Sequence, residues 1–265
     1  MTSIFDQIKH INSHGQEFRK ARQLAKVLNY SDFWNFENVI KKAKITCQSS
    51  GQAVSDHLGD ITEEVKAGLW TTGKYHSYAL SRYACYLIAM EADGSKPEVA
   101  SAKAYFAIQT RKQEVSEQLL EDKKKLYLRE QVSEHNKSLA KTAKQAGVSN
   151  YGNFVDYGYL GLYGMRNKDI LKKKKLKPND SLMDNVGSEE LAANLFRATQ
   201  AEAKIKREHI AGQDKANKAH HEIGQDVRNI IKKMWGTMPE ELPATEHIKE
   251  TKKRVKQQGR LTSDT

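Results

Sequence analysis

A chain of 265 residues with 38% hydrophobic and 29% charged residues has room for two domains of ordinary size and suits a soluble, helix-rich protein. It has no run of about 18 apolar residues, which excludes a membrane-spanning helix. The start, MTSIFDQIKHIN, lacks the charged-then-apolar design of a secretion signal. The formal charge of +11 is uneven: residues 1–115 carry 15 Lys+Arg against 12 Asp+Glu, and residues 116–265 carry 29 against 21. Attraction to phosphates is therefore expected mainly from the second half. Cys47 and Cys85 stand far apart without CxxC spacing. They read as buried free thiols in a reducing, cytoplasmic compartment.

The chain opens as a mixture of strand and helix. After a polar turn at Asn12 to Gly15, Ala21, Leu24, Ala25 and Leu28 fall at helical spacing. Ser31 is the expected N-cap of a second helix, whose apolar stripe is Phe36, Val39, Ile40, Ala43 and Cys47. Lys41, Lys42 and Lys44 lie off that stripe. From Asp60 to Leu80 the pattern predicts a hairpin. Its runs Val65-Lys66-Ala67 and Tyr75 to Leu80 join through Gly68 and Thr71-Thr72-Gly73. A helix follows from Ser81, with Tyr83, Ala84, Leu87 and Ile88 inward. After Asp93-Gly94, Ser95 to Glu98 reads as a capping box with Pro97 in the first turn. That helix carries Val99, Ala102 and Phe106.

Residues 111–146 contain no Pro or Gly and show a narrow stripe of Leu128, Val132, His135 and Leu139. A continuous helix there would run about 36 residues, roughly 54 Å. It would serve as a connector or as a coiled-coil seam for a homodimer through 111–146; a break near Asp122 is the alternative. Gly147 stops it. DYGYLGLYGM, residues 156–165, reads as an aromatic, glycine-rich loop. The run Lys172, Lys173, Lys174, Lys175, with Lys177 behind it, is the sharpest signal in the chain. Five ammonium groups in six residues repel one another unless solvent or an anionic partner screens them. A short helix is expected over Ser181–Val186, and a longer one from Ser188. The latter has Glu189 and Glu190 in its first turn and Leu191, Leu195, Ala198 and Ile205 inward. The last predicted helix, Gln213 to Trp235, has the stripe Ala216, Ala219, His220, Ile223, Val227, Ile230 and Met234. Beyond Pro243 the chain is polar and lysine-rich and is expected to lack structure. The domain reading is 1–112, a connector 113–147, a basic helical domain 148–243 and a tail 244–265.

No catalytic cluster emerges. His220 and His221 are adjacent, so on a helix they diverge and cannot chelate one ion. HExxH, zinc-knuckle and HxE…CxxC spacings are missing. The densest acids, Asp56, Asp60, Glu63 and Glu64, lack nuclease spacing, and no phosphate-binding loop is present. The expectation is a protein without catalysis, metal or cofactor.

LSRYACYLIAM (80–90), YFAIQTR (105–111), GYLGLYGM (158–165), ELAANLFRATQAEAKIKR (190–207) and GTMPEELP (236–243) are too particular for generic helices. Over residues 5–243 the chain resembles the bacterial DNA-damage-inducible protein D family. Its first part, with ARQLAKVLNYS, is similar to the BRO-N domain of phage antirepressors. Where the family usually carries glycine, this chain has Asn29. The resemblance implies an α+β fold: a BRO-N-like N-terminal domain followed by a mostly α-helical C-terminal domain. It also implies a cytoplasmic protein of the SOS response that antagonises RecA-type recombinase filaments.

The resemblance supplies no binding residues, so candidates come from charge. Arg197, Lys204 and Arg207 share a helix face of roughly 15 Å, although Arg197 borders the apolar stripe. The lysine run would extend that surface. Tyr157, Tyr159 and Tyr163 would stack unpaired bases, or else shape the loop from inside. Arg22, Lys41, Lys42 and Lys44 form a second, weaker basic set. The expected partner is DNA, single-stranded favoured, or a recombinase filament carrying it. About 5 neutralised phosphates would give a log–log salt slope near −4 to −5. The rival readings are a protein–protein regulator that needs no DNA, and an antirepressor that reads duplex DNA.

Overall fold

The computed structural model describes residues 4–66 and 72–263. The chain divides into two compact units, Met1–Glu114 and Val115–Thr265.

The first unit contains α1 (Ile4–Gln7), β1 (Lys9–Ile11), β2 (Glu17–Lys20), α2 (Ala21–Val27), α3 (Phe33–Ser49), α4 (Val54–His57), β3 (Leu58–Lys66), β4 (Thr72–Leu80) and α5 (Arg82–Glu91), and it takes in the start of α6 (Pro97–Gln145). Its sheet is antiparallel, in the order β1-β2-β4-β3. The predicted hairpin is present and starts two residues earlier than read, with pairing from Leu58↔Leu80 to Lys66↔Thr72. Ala67, Gly68 and Thr71 of its expected turn lie outside the described residues.

The α3 stripe buries Phe36, Ile40, Ala43 and Cys47 as its spacing requires. Its N-cap is Asp32 rather than Ser31: the Asp32 carboxylate accepts the Trp34 N–H at 2.8 Å, a stronger, charge-assisted cap. Ser81 caps α5 by accepting from Ala84 at 3.1 Å. Asn29 ends α2 at φ 57, a left-handed position that asparagine tolerates in place of glycine. Ala84, Leu87 and Ile88 join Val99, Ala102 and Phe106 in one core.

Helix α6 runs unbroken for 49 residues, about 74 Å, with no break at Asp122. Pro97 is its first residue. Ser95 lies outside it, donating its N–H to the Asp93 carboxylate at 3.0 Å, so the expected capping box does not form.

In the second unit α6 is followed by α7 (Tyr151–Tyr163), α8 (Asn167–Lys173), a single 3-10 turn at Leu182–Asp184, α9 (Ser188–Arg207), α10 (Gln213–Lys233) and α11 (Ile248–Ser263). The stripe of α6 is occupied at home. Val132 packs with Leu162, Tyr163, Leu191 and Val227, and Leu139 with Phe154, Ala198 and Ile205. Those positions are not free to form a seam with a second chain.

Two expectations are corrected here. DYGYLGLYGM is not a loop; most of it is the body of α7, which ends at Gly164 with φ 70. Gly158 and Gly161 serve close helix packing instead of turns. A Cβ at Gly224 of α10 would lie 2.7 Å from the Gly158 carbonyl oxygen and 2.9 Å from the Gly161 Cα. The segment expected to be a tail contains α11. Arg254 on it donates to the buried Asp122 carboxylate at 2.5 and 2.8 Å. Lys125 donates to the Thr245 hydroxyl at 2.8 Å and the Glu246 carbonyl at 2.7 Å. Periodicity cannot reveal such long-range polar anchors.

Candidate nucleic-acid interface

The lysine run terminates α8. Lys174 is the C-cap, and Lys175 turns left-handed at φ 57, so successive side chains leave in different directions. Lys174 goes inward. Its Nζ donates to Glu190 Oε2 at 2.9 Å, to the Pro239 carbonyl at 2.9 Å and to the Leu242 carbonyl at 2.7 Å. The Lys174 and Glu190 side chains are 1% and 0% exposed. Lys173 pairs with Glu241. Lys172, Lys175 and Lys177 remain exposed, and none of them has a carboxylate within ion-pair distance among the described residues. The repulsion inferred from sequence is thus relieved by neutralising two of the five, and a cluster of three uncompensated cations stays on the surface.

Behind Lys174 lies a buried polar chain. Burial raises the Glu190 carboxyl above its ordinary value against the pull of Lys174. Tyr163 donates its hydroxyl to Glu190 at 2.8 Å, and burial followed by the Glu190 charge pushes the phenol well above its usual range. Asn194 donates to the Tyr163 oxygen at 2.6 Å and accepts from Arg197 at 3.2 Å. Arg197 also donates to His220 Nε2. His220 Nδ1 lies 2.9 Å from the Phe154 carbonyl; a carbonyl only accepts, so Nδ1 carries the proton and Nε2 the lone pair. Burial, then the Arg197 charge, holds the imidazole well below its ordinary value.

Several expected surface residues therefore belong to the core. Arg197 is 2% exposed and its guanidinium stacks 5.0 Å from the Tyr159 ring; it cannot meet a phosphate. Tyr159 and Tyr163 are buried and cannot stack on bases. Tyr157 is half-buried, edge-on to His221 and 5.6 Å from the Arg166 guanidinium. Lys204 is committed to Glu222 at 2.7 Å. Arg207 is exposed at the end of α9 beside Glu208. The predicted α9 face thus reduces to one residue, because the apolar stripe is wider than the sequence suggested and takes Arg197 with it.

In the first unit Arg22 lies 3.9 Å over the Phe33 ring and donates to the His76 carbonyl at 2.9 Å. Lys44 sits 4.1 Å over the Tyr78 ring. Both are structural cations. Lys41 and Lys42 are exposed on α3.

Reading by periodicity missed the far end of α10. Ile230 and Met234, expected inside, are exposed, and Trp235 is 97% exposed. Lys232 and Lys233 precede it, also exposed. A Lys-Lys-Met-Trp string at a helix end was the available signal. Among the described residues no group of His, Cys, Asp or Glu is placed to hold a metal ion, and no helix is long and apolar enough to cross a membrane. Cys47 and Cys85 are buried free thiols, and burial pushes the Cys85 thiol up to about 12.

A small antiparallel sheet with helices, followed in the chain by a helical unit with a lysine-rich surface, defines the class: a BRO-type domain carrying a helical extension. Residues 7–107 match the BRO family N-terminal domain, and residues 119–251 match the DinD C-terminal domain. The chain is 45% identical over 262 residues to DNA damage-inducible protein D of Escherichia coli (strain K12), covering 95% of this chain and 96% of that protein. The chain belongs to the DNA damage-inducible protein D family.

Proposed function

We propose that this chain acts in the DNA-damage response by binding single-stranded DNA without catalysis, and that it modulates RecA-type recombinase filaments by competing for the strand they coat. The observation that carries this reading is the exposed set Lys172, Lys175 and Lys177. It lies on a turn that the buried Lys174–Glu190 pair fixes in place. Cations held on an ordered turn with no carboxylate to satisfy them suit a polyanion. Membership of a family named for induction by DNA damage agrees with this role. The site needs no bond to be made or broken.

With Lys174 and Arg197 in the core, fewer phosphates are neutralised than the sequence suggested. Three contacts give a log–log salt slope of about −2 on single strands. Anisotropy titration of a labelled oligo-dT at several salt concentrations tests this. Lys172→Ala/Lys175→Ala/Lys177→Ala is expected to make the slope shallower by about 2 and weaken binding at low salt at least tenfold. Absence of binding at low salt, or an unchanged slope in the triple variant, rejects the reading.

A second reading, direct grip on a recombinase, has its own observation. Ala193, Phe196, Ile230, Ile231, Pro239 and Leu242 line an apolar groove of about 240 Å³. Phe196→Glu would abolish filament modulation and leave oligo-dT affinity intact if that groove carries the activity.

A further inference from the structure

Helix α10 ends in the same left-handed closure that ends α2, α8 and α9, but here the left-handed residue is an aromatic one. Trp235 occupies φ 57, a left-handed conformation that disfavours residues other than glycine. Its N–H still closes on the Lys232 carbonyl at 3.2 Å, and the Gly236 N–H on the Ile231 carbonyl at 3.0 Å. A Cβ at Gly236 would lie 3.0 Å from Ile231 Cγ2, so the chain turns tightly against the helix there. The indole is therefore displayed from an ordered turn, yet 97% of it meets solvent. Leaving an aromatic ring outside forgoes one of the largest apolar burials available to a side chain.

The charges around it are one-sided. The following loop, 236–243, has two carboxylates, and both are taken: Glu240 by Arg228 at 2.5 Å and Glu241 by Lys173. Lys232 and Lys233 are exposed and have no ion pair among the described residues. The same loop receives Lys174 at Pro239 and Leu242, which ties the lysine run to it. Pro239 follows Trp235 by four positions, a span of at most about 14 Å. The indole thus stands beside Lys232 and Lys233, at the start of the loop that receives Lys174.

We propose that Trp235 is a stacking platform for an unpaired nucleic-acid base, with Lys232 and Lys233 taking the flanking phosphates. This rests on the single-strand reading above and supplies the aromatic component that the buried Tyr159 and Tyr163 cannot. A flat ring beside uncompensated lysines offers what a sequence-tolerant single-strand site needs: a face for the base and charge for the backbone. Paired bases already have both faces covered, so the site selects single strands. Lys232 and Lys233 add two contacts, which takes the full salt slope to about −3.5.

The test uses the full chain with Trp34→Phe and Trp70→Phe, so that Trp235 alone emits, and three measurements. The first titrates oligo-dT, the second an abasic sugar–phosphate oligomer of equal length, and the third varies protein concentration without nucleic acid. Oligo-dT is expected to quench the emission and the abasic oligomer to leave it nearly unchanged. Trp235→Ala, which keeps the same backbone strain, should bind oligo-dT about 10- to 100-fold more weakly with an unaltered salt slope and unaltered abasic binding. Trp235→Phe should recover most of the loss. If oligo-dT binds the parent and Trp235→Ala equally, the stacking role is wrong and the electrostatic reading stands. If oligo-dT does not bind at low salt, both fall. If the emission shifts with protein concentration alone and ignores oligo-dT, the indole is a protein-docking residue and the proposal is overturned.

Discussion

Lys174 and Lys172, two residues apart, should respond to alanine in opposite ways. Lys172 is exposed, and its removal should change unfolding free energy by less than about 0.5 kcal/mol. Lys174→Ala leaves the Glu190 carboxylate buried with its cation gone, a loss of about 3–5 kcal/mol measurable by urea denaturation. His220 gives a second prediction at this scale. Its folded value lies well below the ordinary 6.5, so below that pH the unfolded chain binds a proton that the folded chain refuses. Stability from this residue is fully present above about 6.5 and declines as pH falls below it. Arg197 on one side and the Phe154 carbonyl on the other are the groups that face the ring. His220→Gln, compared with the parent in urea melts from pH 7.5 to 5, should show a shallower loss toward acid; parallel curves would refute the assignment.

Among the elements, α7 and α10 illustrate how one residue type can serve opposite ends. Gly224 has the Gly158 carbonyl oxygen at 2.7 Å and the Leu162 nitrogen at 2.8 Å from where a Cβ would stand. Gly224→Ala must push the helices apart and should cost about 1–3 kcal/mol. Gly152 on the same α7 meets only the Asn150 side chain, at 3.7 Å. There the better helix propensity of alanine should dominate, and Gly152→Ala should stabilise by up to about 1 kcal/mol. Thermal melts of the two variants should therefore move in opposite directions. The α3 stripe, the hairpin and the start of α9 were legible because each follows from local periodicity or turn chemistry. Helix α7 was not. Its glycines resemble turn residues until the partner helix that needs them small is in view. Helix α11 was hidden for a related reason, since Arg254 finds Asp122 132 positions away.

For the molecule as a whole, the charge of +11 overstates the surface available to an anion. Lys174, Arg197, Lys204, Arg22 and Lys44 are all engaged by carboxylates, carbonyls, neutral acceptors or ring faces. Among the exposed cations of the second unit, Lys172, Lys175 and Lys177 share one turn and Lys232 and Lys233 one helix end, while Lys123, Lys137, Lys141 and Lys144 are spread along α6. On the proposed reading, the salt dependence follows Lys172, Lys175, Lys177, Lys232 and Lys233, not net charge. Changing Lys172, Lys175, Lys177, Lys232 and Lys233 together should abolish oligo-dT binding at physiological salt, whereas Lys41→Ala/Lys42→Ala should leave that slope within error.

The sequence by itself determined the α+β and helical character of the two parts, the membership of the family and the excess of positive charge. These depend on patterns repeated within a few residues or spread over the whole composition. Only the tertiary structure decided which lysines are free, which tyrosines are core and which aromatic is left outside. Pairing and burial are settled by partners far away in the chain, and no local pattern records whether a partner arrives.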